Sequence, residues 1–312
     1  MSFNQSKWVW MNGELRPWAD ANIHVSAHAL HYGSGVFEGL RCYETITGPA
    51  VFQLAAHLNR LYASAEIHGI QIPFTPEELT EAVLSVIRAN DFSSCYVRPL
   101  CFYGSDSLGL HPRNCPVEVV IFAWPWGAYL GGDGLEHGVR VTVSPWRKFH
   151  QRMMPTTAKA CGQYLNSILA LREAVSRGYD EALLLDSDDF IAEGSGENIF
   201  IVREGKVLTN DEQNSILLGI TRDAVIEIAR DLGLTVETCP LKLEQLINAD
   251  EAFFTGTAAE VTPIREVDGQ IIGTGRRGPI TENIQRTFFA AVQGRDSRYR
   301  HWLREVNVLS HQ

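Results

Sequence analysis

Five lysines stand against twenty-two arginines in this 312-residue chain. One of the five, Lys159, lies in Thr156-Thr-Ala-Lys-Ala-Cys-Gly-Gln-Tyr-Leu-Asn166, among small and weakly polar neighbours. The residues after it repeat apolar side chains at Tyr164, Leu165, Ile168, Leu169 and Val175, which predicts a helix from about 161 to 177 with that set on one face. Lys159 would then sit at or just before the helix N-terminus. The positive end of the helix dipole disfavours an ammonium there, and partial burial disfavours it further. Both favour a neutral amine, the nucleophile that Schiff-base chemistry needs. An ordinary surface lysine ahead of a helix fits the same residues.

Other segments offer complementary chemistry. Leu218-Gly-Ile-Thr-Arg-Asp223 opens a helix: Gly219 permits close backbone approach, Thr221 suits an N-cap, and first-turn N–H groups suit a phosphate. Thr255-Gly-Thr-Ala-Ala-Glu260 ends a strand with N–H groups able to bind an anion. Ala192-Glu-Gly-Ser-Gly-Glu-Asn198 reads as a tight hairpin turn carrying two carboxylates, where glycines let the backbone crowd something flat. A carboxylate facing a pyridine nitrogen would keep it protonated. Leu30 to Arg41 mixes aromatic residues, glycines and an arginine. Tyr96 and Arg98, two apart on a strand, share one face, and Arg60 could reach a phosphate. Each segment alone also fits a plain turn, cap or solvated surface.

The elements that must position these residues alternate along the chain. A hairpin is expected at Val9–Trp18 with Asn12-Gly13 at its turn. A strand and then a helix run from Val51, with Leu58, Leu61, Tyr62 and Ala65 on the helical repeat. Thr75 caps a further helix that has Pro76 at its first position. Strands follow at 94–103 and 117–124. After the glycine-rich stretch 125–134 come strand, helix, strand, hairpin, helix, strands over 250–275 and a last helix near 281–292. We expect an N-terminal α/β domain at 1–125, an interdomain loop at 126–134 and a C-terminal domain at 135–312. The formal charge of −10 excludes a nucleic-acid footprint, which needs a basic face. The first residues lack the apolar core of a secretory leader, and no apolar run has membrane-spanning length. Cys42, Cys95, Cys101, Cys115, Cys161 and Cys239 form no C-x-x-C or zinc spacing and read as reduced, packed thiols of a cytoplasmic protein.

Taken together, HALHYGSGVFEGLR (28–41), HLNRL (57–61), YVRPL (96–100), PWGAYLG (125–131), TTAKACGQYL (156–165), EGSGENIF (193–200), LGITRD (218–223) and TGTAAEVTP (255–263) resemble the fold-type-IV pyridoxal-5′-phosphate enzymes. The closest resemblance is to bacterial branched-chain amino-acid aminotransferases, and these motifs span nearly the whole chain in order. The resemblance implies a two-domain α/β (α+β) fold with a smaller N-terminal domain and a larger pseudo-barrel domain that binds pyridoxal 5′-phosphate.

It also implies roles. Lys159 would form the Schiff base with the cofactor and move the proton between the substrate Cα and the cofactor C4′. Tyr164 would bond the phenolic oxygen, and Glu193 would pair with the pyridine nitrogen, with Glu197 in support. Arg60, Thr257 and the segment Leu218, Gly219, Ile220 and Thr221 would hold the phosphate, beside Gly256. The Thr257 and Ala258 amides, with Tyr96, would receive the substrate α-carboxylate. Tyr32, Phe37, Leu110, Trp126 and Tyr129 would wall the side-chain pocket, and Arg41 and Arg98 would form its polar edge, Arg98 helping a glutamate side chain. No metal is implied. The substrates would be L-leucine, L-isoleucine, L-valine and 2-oxo acids, with 2-oxoglutarate closing a ping-pong cycle. The assembly would be a homodimer or higher homo-oligomer, with no nucleic-acid or membrane partner. Cys161, Gln163 and the loop GSDSLGLHPRNCP (104–116) depart from the family pattern. The rivals are a D-amino-acid transaminase, an (R)-amine transaminase, an aminodeoxychorismate lyase and a non-catalytic phosphate-binding protein.

Overall fold

The computed structural model describes residues 6–307 apart from 128, 129, 131 and 212. The chain forms two compact units. One comprises the residues up to Trp126 with Ala158–Gln163 and the stretch from Ala290; the other comprises Gly127–Thr157 and Tyr164–Phe289.

The first unit is built on an antiparallel sheet. Its strands are β1 (Trp8–Met11), β2 (Glu14–Pro17), β3 (Gly35–Phe37), β4 (Leu40–Thr45), β5 (Gly48–Phe52), β6 (Cys95–Tyr103) and β7 (Val117–Trp124), with a last strand at Leu303–Glu305 beside β5. The spatial order from that last strand is β5-β4-β6-β7-β1-β2, and β3 pairs with β6. Asn12 and Gly13 take positive φ, 52° and 103°, as a two-residue hairpin between right-twisted strands requires. Thr75 and Glu78 close a reciprocal capping box ahead of the helix Pro76–Ala89. That helix and Leu54–Ile67 bury Leu58, Leu61, Leu79, Val83 and Ile87 against Leu40, Val97, Val119 and Ile121 of the sheet. The pleat therefore sends Arg41, Tyr96, Arg98, Phe122 and Trp124 to the opposite face.

In the second unit a mixed sheet runs β10-β9-β8-β15-β14-β11-β12-β13. These strands are β8 (Val139–Val143), β9 (Glu181–Leu185), β10 (Ile191–Gly194), β11 (Asn198–Arg203), β12 (Lys206–Thr209), β13 (Val236–Thr238), β14 (Glu251–Gly256) and β15 (Glu260–Val267), with a short β16 (Gln270–Ile271) beside β15. Val141, Leu183, Ile199, Ile201, Phe254 and Ile264 form its core. The mixed α/β class expected from the sequence is present.

Two local expectations are corrected, and the direction of one helix face is settled. The hairpin turn lies at Glu204-Gly205, joining β11 to β12; Ala192–Asn198 instead links β10, which pairs with β9, to β11. The helix after Gly219 begins at Ile220 with Gly219 as N-cap and no side-chain cap, so Thr221 is buried in the first turn rather than capping it. The helix Tyr164–Ser176 turns its small residues Ser167, Ala170 and Ala174 inward, Ala170 and Ala174 packing on Ala182 and Leu184. Its apolar set Leu165, Ile168, Leu169 and Val175 is exposed.

Candidate active site

In the first unit, Lys159 lies on an extended segment laid along β3. The Phe37 amide donates to the Lys159 carbonyl at 3.0 Å, and the Lys159 amide donates to Ser64 Oγ at 3.0 Å. This placement requires the backbones at Gly33 and Gly162 to cross. The Gly162 amide donates to Gly33 O at 3.1 Å, and a Cβ on Gly33 would come within 2.7 Å of Gly162 Cα, a separation side chains do not tolerate. The crossing thus fixes Gly33 as glycine, whereas a Cβ at Gly162 would meet Gly33 O only at 3.4 Å, an ordinary contact.

Lys159 Nζ stands 5.1 Å from the Phe37 ring centre. Burial, then the Arg60 guanidinium, pull the amine down from 10.5 to about 8, with Arg98 acting in the same direction against Glu38 and Tyr96. The amine therefore carries a substantial neutral fraction at physiological pH, for reasons of burial and cationic neighbours.

Beneath Lys159 lies a cluster the sequence reading missed. Glu38 is fully buried and accepts from Arg60 Nε at 2.6 Å, from Arg60 Nη2 at 2.9 Å and from His57 Nδ1 at 2.7 Å. Burial alone would push the Glu38 carboxyl up; Arg60 and His57 overcome it and hold the group well below the usual carboxylate range. His57 is held below its ordinary value, first by burial. A neutral ring whose Nδ1–H faces an ionised carboxylate leaves Nε2 as a bare acceptor, and that atom has no partner. The available signal was the spacing: His57 and Arg60 are three apart on one helix face.

On the sheet face turned from the core, Arg41 of β4, Tyr96 of β6 and Trp124 of β7 stand in one cross-strand row, and Arg98 opposes Phe122 in the next. Arg41 Nη1 donates to Trp126 O at 3.3 Å. Gly39 has no side chain because the Tyr96 hydroxyl occupies that space. Tyr32 donates to Leu108 O at 2.6 Å, and His28 bridges Ser34 Oγ and Gly109 O, so both fasten the loop carrying Leu110. Tyr32 and Leu110 are themselves exposed. Tyr129 lies outside the described residues.

The second unit gathers its candidates at one end of its sheet. β11 and β14 pair with Asn198 opposite Thr255, which brings the 194–197 link and the 257–259 turn out side by side. Glu193 is buried. Its Oε1 meets Lys148 Nζ at 2.6 Å, and its Oε2 accepts from the Leu217 amide at 3.0 Å and from Asn198 Nδ2 at 3.4 Å. Asn198 also donates to Leu217 O at 2.9 Å, tying this carboxylate to the run Leu218-Gly219-Ile220-Thr221. Glu197 folds back to accept from the Gly196 amide. Tyr164, at the start of its helix, is half-buried, as are Thr257 and Ala258 in the turn after Gly256. Lys148 was absent from the sequence reading. Only its rarity among twenty-two arginines could have marked it.

The first unit offers an amine brought down to about 8; the second offers a carboxylate fixed by a cation and two hydrogen-bond donors, and a helix start without a side-chain cap. Among the described residues no cluster could hold a metal ion, and no helix is long and apolar enough to cross a membrane. Comparison with known proteins gives the same direction. The family model for amino-transferase class IV matches residues 35–267. The branched-chain-amino-acid aminotransferase of Pseudomonas aeruginosa is 48% identical over 294 residues, 94% of this chain and 95% of the relative. That of Escherichia coli strain K12 is 45% identical over 308 residues, 98% of this chain and all of the relative. Among solved structures, the Escherichia coli branched-chain amino acid aminotransferase superposes with a TM-score of 0.95 at 45% identity, covering 97% of this chain and 100% of its own. Another branched-chain amino acid aminotransferase, crystallised with pyridoxamine 5′-phosphate, superposes with a TM-score of 0.94 at 48% identity, covering 97% of this chain and 99% of its own. The chain belongs to the class IV amino-transferases.

Proposed function

We infer that this enzyme transfers the amino group between L-leucine, L-isoleucine or L-valine and 2-oxoglutarate, with pyridoxal 5′-phosphate as its cofactor. The observation that carries the reading is Lys159: a half-buried lysine whose amine is brought down to about 8 beside Arg60 and Arg98, in a chain whose relatives are branched-chain-amino-acid aminotransferases.

The donor set fits the cofactor. A neutral amine suits an aldehyde, a buried ionisable carboxylate suits a ring nitrogen, and an uncapped helix of twelve residues with an arginine suits a phosphate. Bound, pyridoxal phosphate supplies an electrophilic carbon and a ring that withdraws electrons from the substrate Cα.

The chain's own residues do the rest. With the cofactor bound, Lys159 Nζ would be the group that carries the proton on and off the substrate Cα, and an amine poised near pH 8 can both take and return it. Glu193, oriented by Lys148, Asn198 and the Leu217 amide, would keep the ring nitrogen protonated, and Tyr164 would hold the phenolic oxygen. Arg60, fixed by Glu38, is one group that would hold the phosphate; Thr257 and the Ile220 and Thr221 amides are the others. The Thr257 and Ala258 amides, with Tyr96, take the α-carboxylate. Phe37, Trp126, Tyr32 and Leu110 would wall the side-chain pocket, and Arg41 and Arg98 would edge it.

The assembly is read as a homo-oligomer because Leu165, Ile168, Leu169 and Val175 expose one apolar helix face of the kind that subunit contacts cover. Six cysteines without a disulfide support a reducing compartment, the cytoplasm. The test is a panel of amino donors with 2-oxoglutarate, scored for chirality. The three branched L-amino acids should lead. A preference for D-alanine or an (R)-amine would overturn the substrate assignment, and a protein that stays colourless with added pyridoxal phosphate would overturn the cofactor.

A further inference from the structure

Arg98 has an unusual set of neighbours for a half-buried guanidinium. Its Cζ lies 4.6 Å from the Phe37 ring centre, 5.3 Å from that of Tyr96 and 5.7 Å from that of Trp124. Among the described residues no carboxylate pairs with it. Its Nε is buried without a hydrogen-bond partner, and Nη2 reaches the Tyr96 hydroxyl only at 3.3 Å. Aromatic faces thus stand where an acid would usually be.

Trp124 is held for this. It lies directly across the sheet from Tyr96, their rings 4.8 Å apart. Phe122 stacks on it at 5.3 Å with 22° between planes, and Trp126 closes on it at 5.5 Å. Three ring contacts leave the indole little rotamer freedom, so its face toward Arg98 is preset.

The substrates pose a conflict that this arrangement resolves. A branched aliphatic side chain needs an apolar wall, whereas the distal carboxylate of 2-oxoglutarate needs a cation. A carboxylate partner for Arg98 would compete with that substrate carboxylate and add polarity to the wall. An aromatic partner stabilises the cation through its ring face and leaves the donors along the guanidinium edge for a ligand. We propose that Trp124 is a specificity-determining positioning residue: with Phe37 and Tyr96 it holds Arg98 by aromatic faces, keeping the guanidinium edge available to the distal carboxylate of a dicarboxylic substrate. The proposal rests on the reading above that Arg98 meets this carboxylate.

Trp124→Leu removes the ring face while keeping apolar bulk, and Trp124→Phe keeps a ring face. Single-turnover half-reactions of the amine-loaded holoenzyme would be run with 2-oxoglutarate and with 4-methyl-2-oxopentanoate, and glutarate binding to the holoenzyme followed by calorimetry. For Trp124→Leu, half-saturation by 2-oxoglutarate and the glutarate dissociation constant should rise roughly tenfold, the scale of one partly desolvated cation–π contact. Half-saturation by 4-methyl-2-oxopentanoate should move less than about twofold, and Trp124→Phe should restore most of the loss. An equal rise for both oxo acids, or no change for either, would overturn the proposal. Arg98→Met separates the two layers. If it leaves 2-oxoglutarate and glutarate unaffected, the reading of Arg98 fails; if it weakens both while Trp124→Leu does not, only the role of Trp124 fails.

Discussion

The environment of Lys159 makes a prediction with two opposite signs. At pH 7.5 an amine titrating at about 8 is about one-quarter neutral, whereas one at the ordinary value would be neutral in roughly one molecule per thousand. The protein thus raises the nucleophilic fraction by roughly two hundredfold. Arg60 lowers this amine and Glu38 raises it, so their removal must act in contrary directions. Arg60→Met should move the Lys159 titration upward and slow its reaction at pH 7.5, while Glu38→Gln should move it downward. The assay is competitive labelling of the apoprotein with trace acetic anhydride from pH 6.5 to 10.5. The Lys159 peptide is quantified by mass spectrometry against exposed Lys242, the three proteins side by side. A wild-type midpoint near the ordinary lysine value would refute the account of burial and cationic neighbours. So would a displacement of both variants in the same direction, because a purely structural disturbance has no reason to change sign with the charge removed.

Three further outcomes are expected. Lys148→Met leaves Glu193 buried without its cation, and breaking a buried pair from one side costs about 3–5 kcal/mol. Urea unfolding should register that loss, Lys148→Arg should recover most of it, and a loss under about 1 kcal/mol would mean that the Leu217 and Asn198 contacts suffice. Glu181 is pushed up from 4.5 to about 7 by burial, against the Ala182 and Ser195 bonds that favour its ionised form. Between those values the folded state keeps a proton that the unfolded chain has released, so its stabilising contribution is full below about pH 4.5 and fades as pH rises through 7. Glu181→Gln should therefore flatten the fall in stability between pH 5 and 8 relative to wild type, and identical slopes would dismiss the assignment. Ile168→Glu places a charge in the exposed apolar helix face, and sedimentation velocity should then show dissociation; an unchanged assembly would put the subunit contact elsewhere.

Local features were legible from sequence where one short stretch contains both the cause and the effect. Asn12-Gly13 needs only its own backbone to make the hairpin turn. Thr75, Pro76 and Glu78 start their helix with groups three residues apart. The pleat alone puts Tyr96 and Arg98 on one face. The Glu38–Arg60 and Lys148–Glu193 pairs were not legible, because they join residues 22 and 45 positions apart, and charge type does not specify a partner at such range. Periodicity identified the helix after Lys159 and the apolar set on one of its faces, but not which way that face turns. An apolar stripe normally marks the side turned to the core, yet here Ala170 and Ala174 bring the helix close to its sheet and the large side chains point out. Distinguishing those cases requires knowing what else covers the apolar face, which a single chain's pattern does not contain.

The scarcity of lysine and the placing of arginine express one physical requirement. Near an electrophilic carbon, one amine must be able to lose its proton, and the surrounding cations must neither lose theirs nor compete as nucleophiles. Guanidinium meets both conditions, being charged at any working pH. Arg60 and Arg98 therefore lower the Lys159 amine without becoming alternatives to it. The two also differ in what balances their charge. Arg60 is locked to Glu38 by two short bonds, which suits a group that must hold one orientation throughout. Arg98 rests on Phe37, Tyr96 and Trp124, which leaves its hydrogen-bonding edge open to a ligand present in one half of the cycle and absent in the other. Exchanging these two partners, acid for aromatic, would fix the wrong arginine; on the proposal above, the aromatic residues along β6 and β7 bear on substrate selection as much as the charges do.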